Sequence, residues 1–444
     1  MLRMTFFGNG PMTQERARRA LMVVLVAVFA TLLRVPVIVG STVQAPGCAG
    51  SGSQALPGGV DAGRIVLRAD RVLDGVGGLL TNRQIVIDGA NINGLEPDGG
   101  GAVTYDLTGL TVMPGWIDTH VYIAHYINAE GRATRANDTP EESILFGAEN
   151  AYRTLMAGVT TAQSIGSDRD KDLRDAIARG VLPGPRLLTS LAWITEEAGS
   201  AAQIREVVRQ RQRDGADVIK VHASRSSRDG GGRTLDDEQL EAACDEAKRL
   251  GLRSIAHAHS LDSIEAAVRA GCGTITHGTY ATGEILQLMA ARGVFFEPQF
   301  LVTLNYLDNR EKFIGIGNYT EEGFAFMEQN LPVKTAMFRK AAHVKGLKMV
   351  FGTDAVAGAH GTNAEEFVYR VRDGGQNPMA ALVSAHSGAA EALGLADRVG
   401  RLAAGFEADV IAIDGDPLTD ITAVLRVVFV MKGGKVYKNI VRAR

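Results

Sequence analysis

Residues 252–259 read Leu252-Arg253-Ser254-Ile255-Ala256-His257-Ala258-His259, and residues 274–278 read Thr274-Ile275-Thr276-His277-Gly278. Each is a short β-type run that ends in histidine, and helical periodicity fills the gap between them. The same unit recurs on both sides. Strand signals fall at 115–122, 160–165, 186–190, 217–222, 252–258, 274–277, 294–298 and 348–352. Helical stretches separate them, such as 236–250, where Thr234 and Asp237 have capping-box spacing. Strands and helices in this alternation predict a (β/α)8 barrel of TIM type, with a doubly wound sheet as the weaker alternative. No GxGxxG follows the first strand, which argues against a dinucleotide fold.

Further out the texture changes. Ile65-Val66-Leu67, Gln84-Ile85-Val86-Ile87 and Val103-Thr104-Tyr105 alternate between turns, and so do Val410-Ile411-Ala412-Ile413 and Val427-Val428-Phe429-Val430-Met431. Lys432-Gly433-Gly434-Lys435 has the composition of a hairpin turn. A small β-sandwich built from both termini, 64–112 and 397–444, is therefore expected around a barrel at 113–396. Before it, Arg16, Arg18 and Arg19 precede an apolar run at 20–33, and Val43-Gln44-Ala45 approximates a small-residue cleavage site. Residues 1–45 thus read as an export signal, with an uncleaved anchor as the alternative, and the Gly/Ser/Pro-rich 46–63 as a linker. The expected location is periplasmic or extracellular, with cytoplasmic or membrane-anchored placement left open. Membrane contact is expected only through this leader.

Composition excludes other classes. A net charge of −3 over 444 residues, without a basic stripe, gives no field for nucleic acid. The three cysteines, Cys48, Cys244 and Cys272, make no disulfide framework and contain no CxxC; Cys244 and Cys272 read as core fillers. No GxSxG elbow supports serine-hydrolase chemistry.

The chemistry lies where the histidines fall. His120, His222, His257, His259 and His277 lie at or near strand C-termini, together with Lys220 and Asp354. In a barrel those ends share one mouth. Imidazole and carboxylate suit zinc and similar divalent ions. Asp354 is placed to accept a proton from water and pass it to a leaving nitrogen. Lys220, inside Val218-Ile219-Lys220-Val221, is costly when charged and must be paired, neutral or modified; spacing alone makes it a salt-bridged lysine. Arg225 and Arg228 follow the fourth strand in a glycine-rich loop and suit a substrate carboxylate. Tyr280, Gln299 and His360 are weaker candidates on later loops, 300–330 reads as a lid or oligomer contact, and His386 as structural.

Several strings resemble the amidohydrolase superfamily, in particular its prolidase-like, metal-dependent carboxypeptidase and ochratoxin-hydrolysing branch. They are Met113-Pro114-Gly115-Trp116-Ile117-Asp118-Thr119-His120, Leu182-Pro183-Gly184-Pro185-Arg186, Asp217-Val218-Ile219-Lys220-Val221 and His257-Ala258-His259. Thr276-His277-Gly278, Phe351-Gly352-Thr353-Asp354-Ala355, Gly405-Phe406-Glu407-Ala408-Asp409 and Asp414-Gly415-Asp416-Pro417 continue the series. The resemblance implies a distorted barrel with a β-sandwich, and two divalent metals, usually zinc, bridged by hydroxide and a carboxylated lysine. It puts His120 on the first histidine of an HxH pair, Lys220 on the bridging carbamate, and His257 and His277 on the second metal. Asp354 falls on the aspartate ligand and proton carrier, and His259 on a position that faces substrate, so Asp354 and His259 are the catalytic pair. It further implies a small amide or peptide substrate, such as an N-acyl amino acid, and a homo-oligomer, up to an octamer.

One position departs from that pattern. The second histidine of HxH is Tyr122, on the same strand face as His120 because side chains alternate. A phenol with a pKa of about 10 replaces an imidazole there. Three outcomes are open: Tyr122 ligates as phenolate, His125 reaches in from the next loop, or the first metal binds weakly. The rival functions are a cyclic amidase or deaminase, and a ligand-binding protein impaired by Tyr122.

Overall fold

The computed structural model describes residues 63–134 and 139–441, so the expected leader at 1–45 lies outside it, as does nearly all of the linker. Among the described residues no helix is long and apolar enough to cross a membrane.

The barrel strands run Trp116–Val121, Val159–Ser164, Arg186–Thr189, Val218–His222, Arg253–Ala258, Thr274–His277, Phe295–Glu297 and Lys348–Met349. The first three pair in parallel, as do the last five. Isolated parallel bridges, Ile194 to Val221 and Val121 to Ala355, join these two arcs at both seams. The (β/α)8 expectation is met, with the regular pairing interrupted at those seams. Helices separate the strands and bury their apolar stripes against them, with Ile204, Leu240, Ala247 and Leu286 all inaccessible. The helix Asp237–Arg249 takes its cap two residues after the expected one. Asp236 accepts from Gln239 N and Gln239 answers with the backbone of Asp236, while Thr234 Oγ1 donates to His222 O. Aspartate accepts the N3 amide as well as threonine does, so spacing alone could not choose.

Both termini build one mixed sheet, ordered Lys435–Asn439, Val427–Lys432, Val410–Ile413, Thr111–Pro114, Arg64–Leu73, Leu79–Asp88, Asn91–Pro97. The join is antiparallel, with Met113 opposite Ile411 and Val112 opposite Ala412. The turn 433–434 is a two-residue hairpin with both glycines at positive φ, 53° and 74°, which suits the twist of the flanking strands. Arg186, at the start of the third barrel strand, pairs with Asp409 at 2.9 Å and with Glu407. The Pro-Gly-Pro-Arg and Gly-Phe-Glu-Ala-Asp strings thus meet as an ion-paired clamp between sheet and barrel.

Cys244 and Cys272 form a disulfide between the helix Asp237–Arg249 and the residues just before the sixth strand. This corrects the expectation of two separate core fillers. They are 28 residues apart, and only the packing of helix against strand brings their Cα atoms to 5.0 Å.

Candidate metal centre

The first strand is held to the eighth by a buried network that aims the site. Asp118 accepts from Thr353 Oγ1 at 2.6 Å, Thr353 N at 3.0 Å and Asn363 Nδ2 at 2.8 Å. Burial pushes its carboxyl up to about 7 against those donors. Asp354 N then donates to His120 O at 2.8 Å, which sets the two candidate ligands side by side. Asp354 and His277 hold positive φ, 54° and 68°, conformations that cost a non-glycine residue energy and cluster where side chains are aimed for function.

His120 is fully buried, with Nδ1 2.7 Å from Glu297 Oε1 on the seventh strand. Glu297 also accepts from Thr119 Oγ1 and, at 2.6 Å, from Gln299 Nε2. A carboxylate on Nδ1 fixes the tautomer and leaves the Nε2 lone pair outward. That Nε2 has no hydrogen-bond partner and sits 3.3 Å from Asp354 Oδ1. Two acceptors facing each other call for a cation between them.

His257, His259 and His277 complete the other side, each offering a ring nitrogen within 4.8 Å of the others. His259 and His277 stack at 4.5 Å, and His257 meets His277 edge-on at 4.4 Å. His259 therefore joins the compact histidine group as well as facing the cavity. Thr279 Oγ1 holds its Nδ1 at 2.8 Å. Burial, reinforced by Lys220, lowers His120 and His257 to about 3, and burial with the neighbouring imidazoles holds His259 and His277 well below the usual range. The rings are neutral at physiological pH, the form that ligates metal.

Lys220 overturns the salt-bridge expectation: its Nζ is buried without a hydrogen-bond partner. Burial lowers its pKa to about 8, opposed by Asp354 and Glu297. A partly neutral amine among carboxylates and imidazoles has the nucleophilicity that carbamate formation requires. The donor set of histidines, Asp354 and the orphaned Lys220 amine fits a divalent cation.

Of these groups His257, His259, His277 and Asp354 line a cavity of about 140 Å³. Tyr122 forms one wall, stacked on His125 at 4.7 Å and edge-on to Trp193 at 6.1 Å. Gly166 leaves room for that ring, since a Cβ there would lie 2.4 Å from Tyr122 Cδ1. Both residues at issue in the HxH departure thus reach the cavity. Arg228 lines it too, its guanidinium 4.0 Å from the Tyr319 ring and 5.1 Å from that of Tyr306. Other candidates sit elsewhere. Arg225 is exposed and contributes its carbonyl to His257 Nε2 at 3.2 Å. Tyr280 donates to Asn330 Oδ1 outside the cavity. His360 donates to the carbonyls of Tyr122 and His125 at 3.0 and 3.1 Å, pinning the turn between them instead of meeting substrate. Gln299 serves Glu297, and His386 is buried away from the cavity.

Sequence reasoning passed over Glu297, Trp193, His222 and Lys334. Glu297 carried the same signal as Lys220, an ionisable residue inside an apolar strand. His222 was placed at a strand end without a role, and it stacks between Trp193 at 5.0 Å and His257 at 4.7 Å. Lys334 lies mid-helix and carried no local signal.

The chain is similar to known proteins in sequence and in fold. The chain is 27% identical to ochratoxinase from Aspergillus niger over 382 residues, covering 74% of this chain and 76% of that one. A crystal structure of a Xaa-Pro dipeptidase with methionine in its active site superposes with a TM-score of 0.76 at 28% identity, covering 85% of this chain and all of the other. The crystal structure of the A. niger ochratoxinase shares the fold, with a TM-score of 0.74 at 24% identity over 85% of this chain and 96% of that one. The Amidohydrolase family model matches residues 111–437, from the sheet through the whole barrel and back. The chain belongs to the amidohydrolase family and is a hydrolytic enzyme.

Proposed function

We propose that the chain is a metal-dependent hydrolase of amide bonds in N-acyl amino acids and C-terminal dipeptide-like substrates, ochratoxin-like amides included. The observation that carries the reading is the clustering of His257, His259, His277 and Asp354 on one cavity, with His120 Nε2 3.3 Å from Asp354 Oδ1 and the buried Lys220 amine left without a hydrogen-bond partner. The names of the ochratoxinase relative and the Xaa-Pro dipeptidase neighbour support the substrate class. Zinc is the proposed metal, held by those residues with Lys220 carboxylated. When bound, such an ion brings the pKa of water from about 15.7 to about 7 and polarises a carbonyl. Asp354, raised above the usual carboxyl range by burial, accepts the proton of the attacking water and returns it to the leaving nitrogen. His259, on the cavity wall, donates to the substrate carbonyl side. Tyr122, Trp193 and Tyr306 exclude bulk water.

A second reading rests on Tyr122. Its ring, stacked on His125, occupies the strand face where the resemblance expects imidazole, which favours one metal per chain over two. Elemental analysis of purified protein, with hydrolysis of an N-acyl amino acid panel and of ochratoxin A, tests both readings. Two zinc ions with turnover support the first; one ion that becomes two in Tyr122→His supports the second. Absence of divalent metal together with absence of amide hydrolysis refutes the function.

Export is proposed as well, supported by the Cys244–Cys272 bridge, which suits an oxidising compartment. Homo-oligomer formation is proposed from the exposed Leu145 and Tyr152 on the helix Pro140–Met156, and light scattering reads it.

A further inference from the structure

The cavity lined by the imidazoles also holds a cationic side chain. Lys334 lies within the helix Glu321–Ala341 and is only 6% exposed, yet it lines the cavity with Thr303 and Tyr306. Its Nζ donates to Thr303 Oγ1 at 2.8 Å. An ammonium has three donors, and among the described residues no carboxylate pairs with this one. Glu366 and Asp354 act on it only at a distance. Glu366 is already spent on Phe300 N, Leu301 N and Arg370 Nε, each at 2.8 Å. Burying an ammonium without a counter-ion is expensive, and a site needing only packing is served as well or better by methionine or leucine. The expense makes sense if an anion arrives from the cavity.

Arg228 is less suited to that task. Its guanidinium is taken up by two tyrosine rings, and its Nε donates to Asn318 Oδ1 at 3.2 Å. Asn318 in turn donates to Asp229. Arg228 is thus held as part of the wall, while the free donors of Lys334 remain.

We propose that Lys334, oriented by Thr303, is the specificity-determining cation that receives the free carboxylate of the substrate in the cavity it shares with the candidate metal ligands. The inference rests on the amide-hydrolase reading and deepens it: it explains why substrates with a free acid on the leaving side would be chosen. A cavity of about 140 Å³ holds a benzene-sized group, so one amino-acid unit fills the space lined by the imidazoles and the ammonium.

The test uses the metal-loaded full chain with N-acetyl-L-phenylalanine and its primary amide, which differ only in the carboxylate. Both kcat/KM and calorimetric binding are measured, in wild type, Lys334→Met and Thr303→Val. Wild type is expected to favour the acid by about 10- to 100-fold, the range of a hydrogen bond to a charged group. Lys334→Met brings the ratio near one, and Thr303→Val lowers it part of the way. A preference that survives in Lys334→Met, or is missing from wild type, overturns the proposal. If wild type binds the acid selectively through Lys334 but hydrolyses neither compound, the hydrolase reading fails and the carboxylate site stands. Thermal melts verify folding; should Lys334→Met not fold, the same ratio in Lys334→Gln decides.

Discussion

At the scale of single residues the site is defined by side chains whose cost is not offset locally. Lys220 is the clearest, a buried amine without a partner. Lys220→Met is expected to abolish metal binding and amide hydrolysis while leaving the melting temperature of the metal-free protein unchanged or raised, since a buried unpaired amine is replaced by an apolar chain of similar length. Elemental analysis beside a thermal melt checks both halves. Glu297 acts through His120, holding Nδ1 so that Nε2 faces Asp354. Glu297→Gln keeps the shape and removes the charge; activity or metal affinity is expected to fall about 10- to 100-fold. An unaltered metal-binding isotherm would contradict that positioning role.

Among the elements, the helix Glu365–Arg372 fastens the ends of the seventh and eighth strands. Arg370 is fully buried, paired with Glu366 at 2.8 Å and donating to Pro298 O and Val350 O at 2.8 and 3.0 Å. Removing one partner strands the other charge, so Arg370→Met is expected to cost about 3–5 kcal/mol in urea unfolding. The residue that precedes the helix Ser387–Ala392, His386, carries a pH prediction. Burial lowers its pKa from 6.5 to about 3, against a hydrogen bond to the Pro114 backbone. Between those values the unfolded chain binds the extra proton, so the neutral buried ring's contribution is intact above pH 6.5 and is lost as pH falls toward 3. Melting temperature should therefore drop across that window, and the drop should be shallower in His386→Asn.

The whole molecule depends on joins between distant segments. The Cys244–Cys272 bridge closes a loop across a separation of 28 residues, and the paired change to alanine is expected to lower stability by about 2–4 kcal/mol. Non-reducing mass spectrometry together with denaturant titration reads this. Much of this architecture was legible in the sequence. Every barrel strand was found within a few residues, because a strand buried on both faces is a short apolar run whatever its neighbours. The strand positions of His120, Lys220, His257 and His277 were legible too, because each lies within or at the end of such a run, while their proposed roles as ligands came from the resemblance. What one-dimensional pattern cannot carry is partnership. The pairing of Cys244 with Cys272, the hold of Glu297 on His120, the turning of His360 toward backbone carbonyls and the arrival of Lys334 beside Thr303 were settled by tertiary packing alone. The reason is physical: periodicity records which face of an element a residue occupies, whereas hydrogen bonds, disulfides and buried charges depend on distances of a few ångströms between elements far apart along the chain.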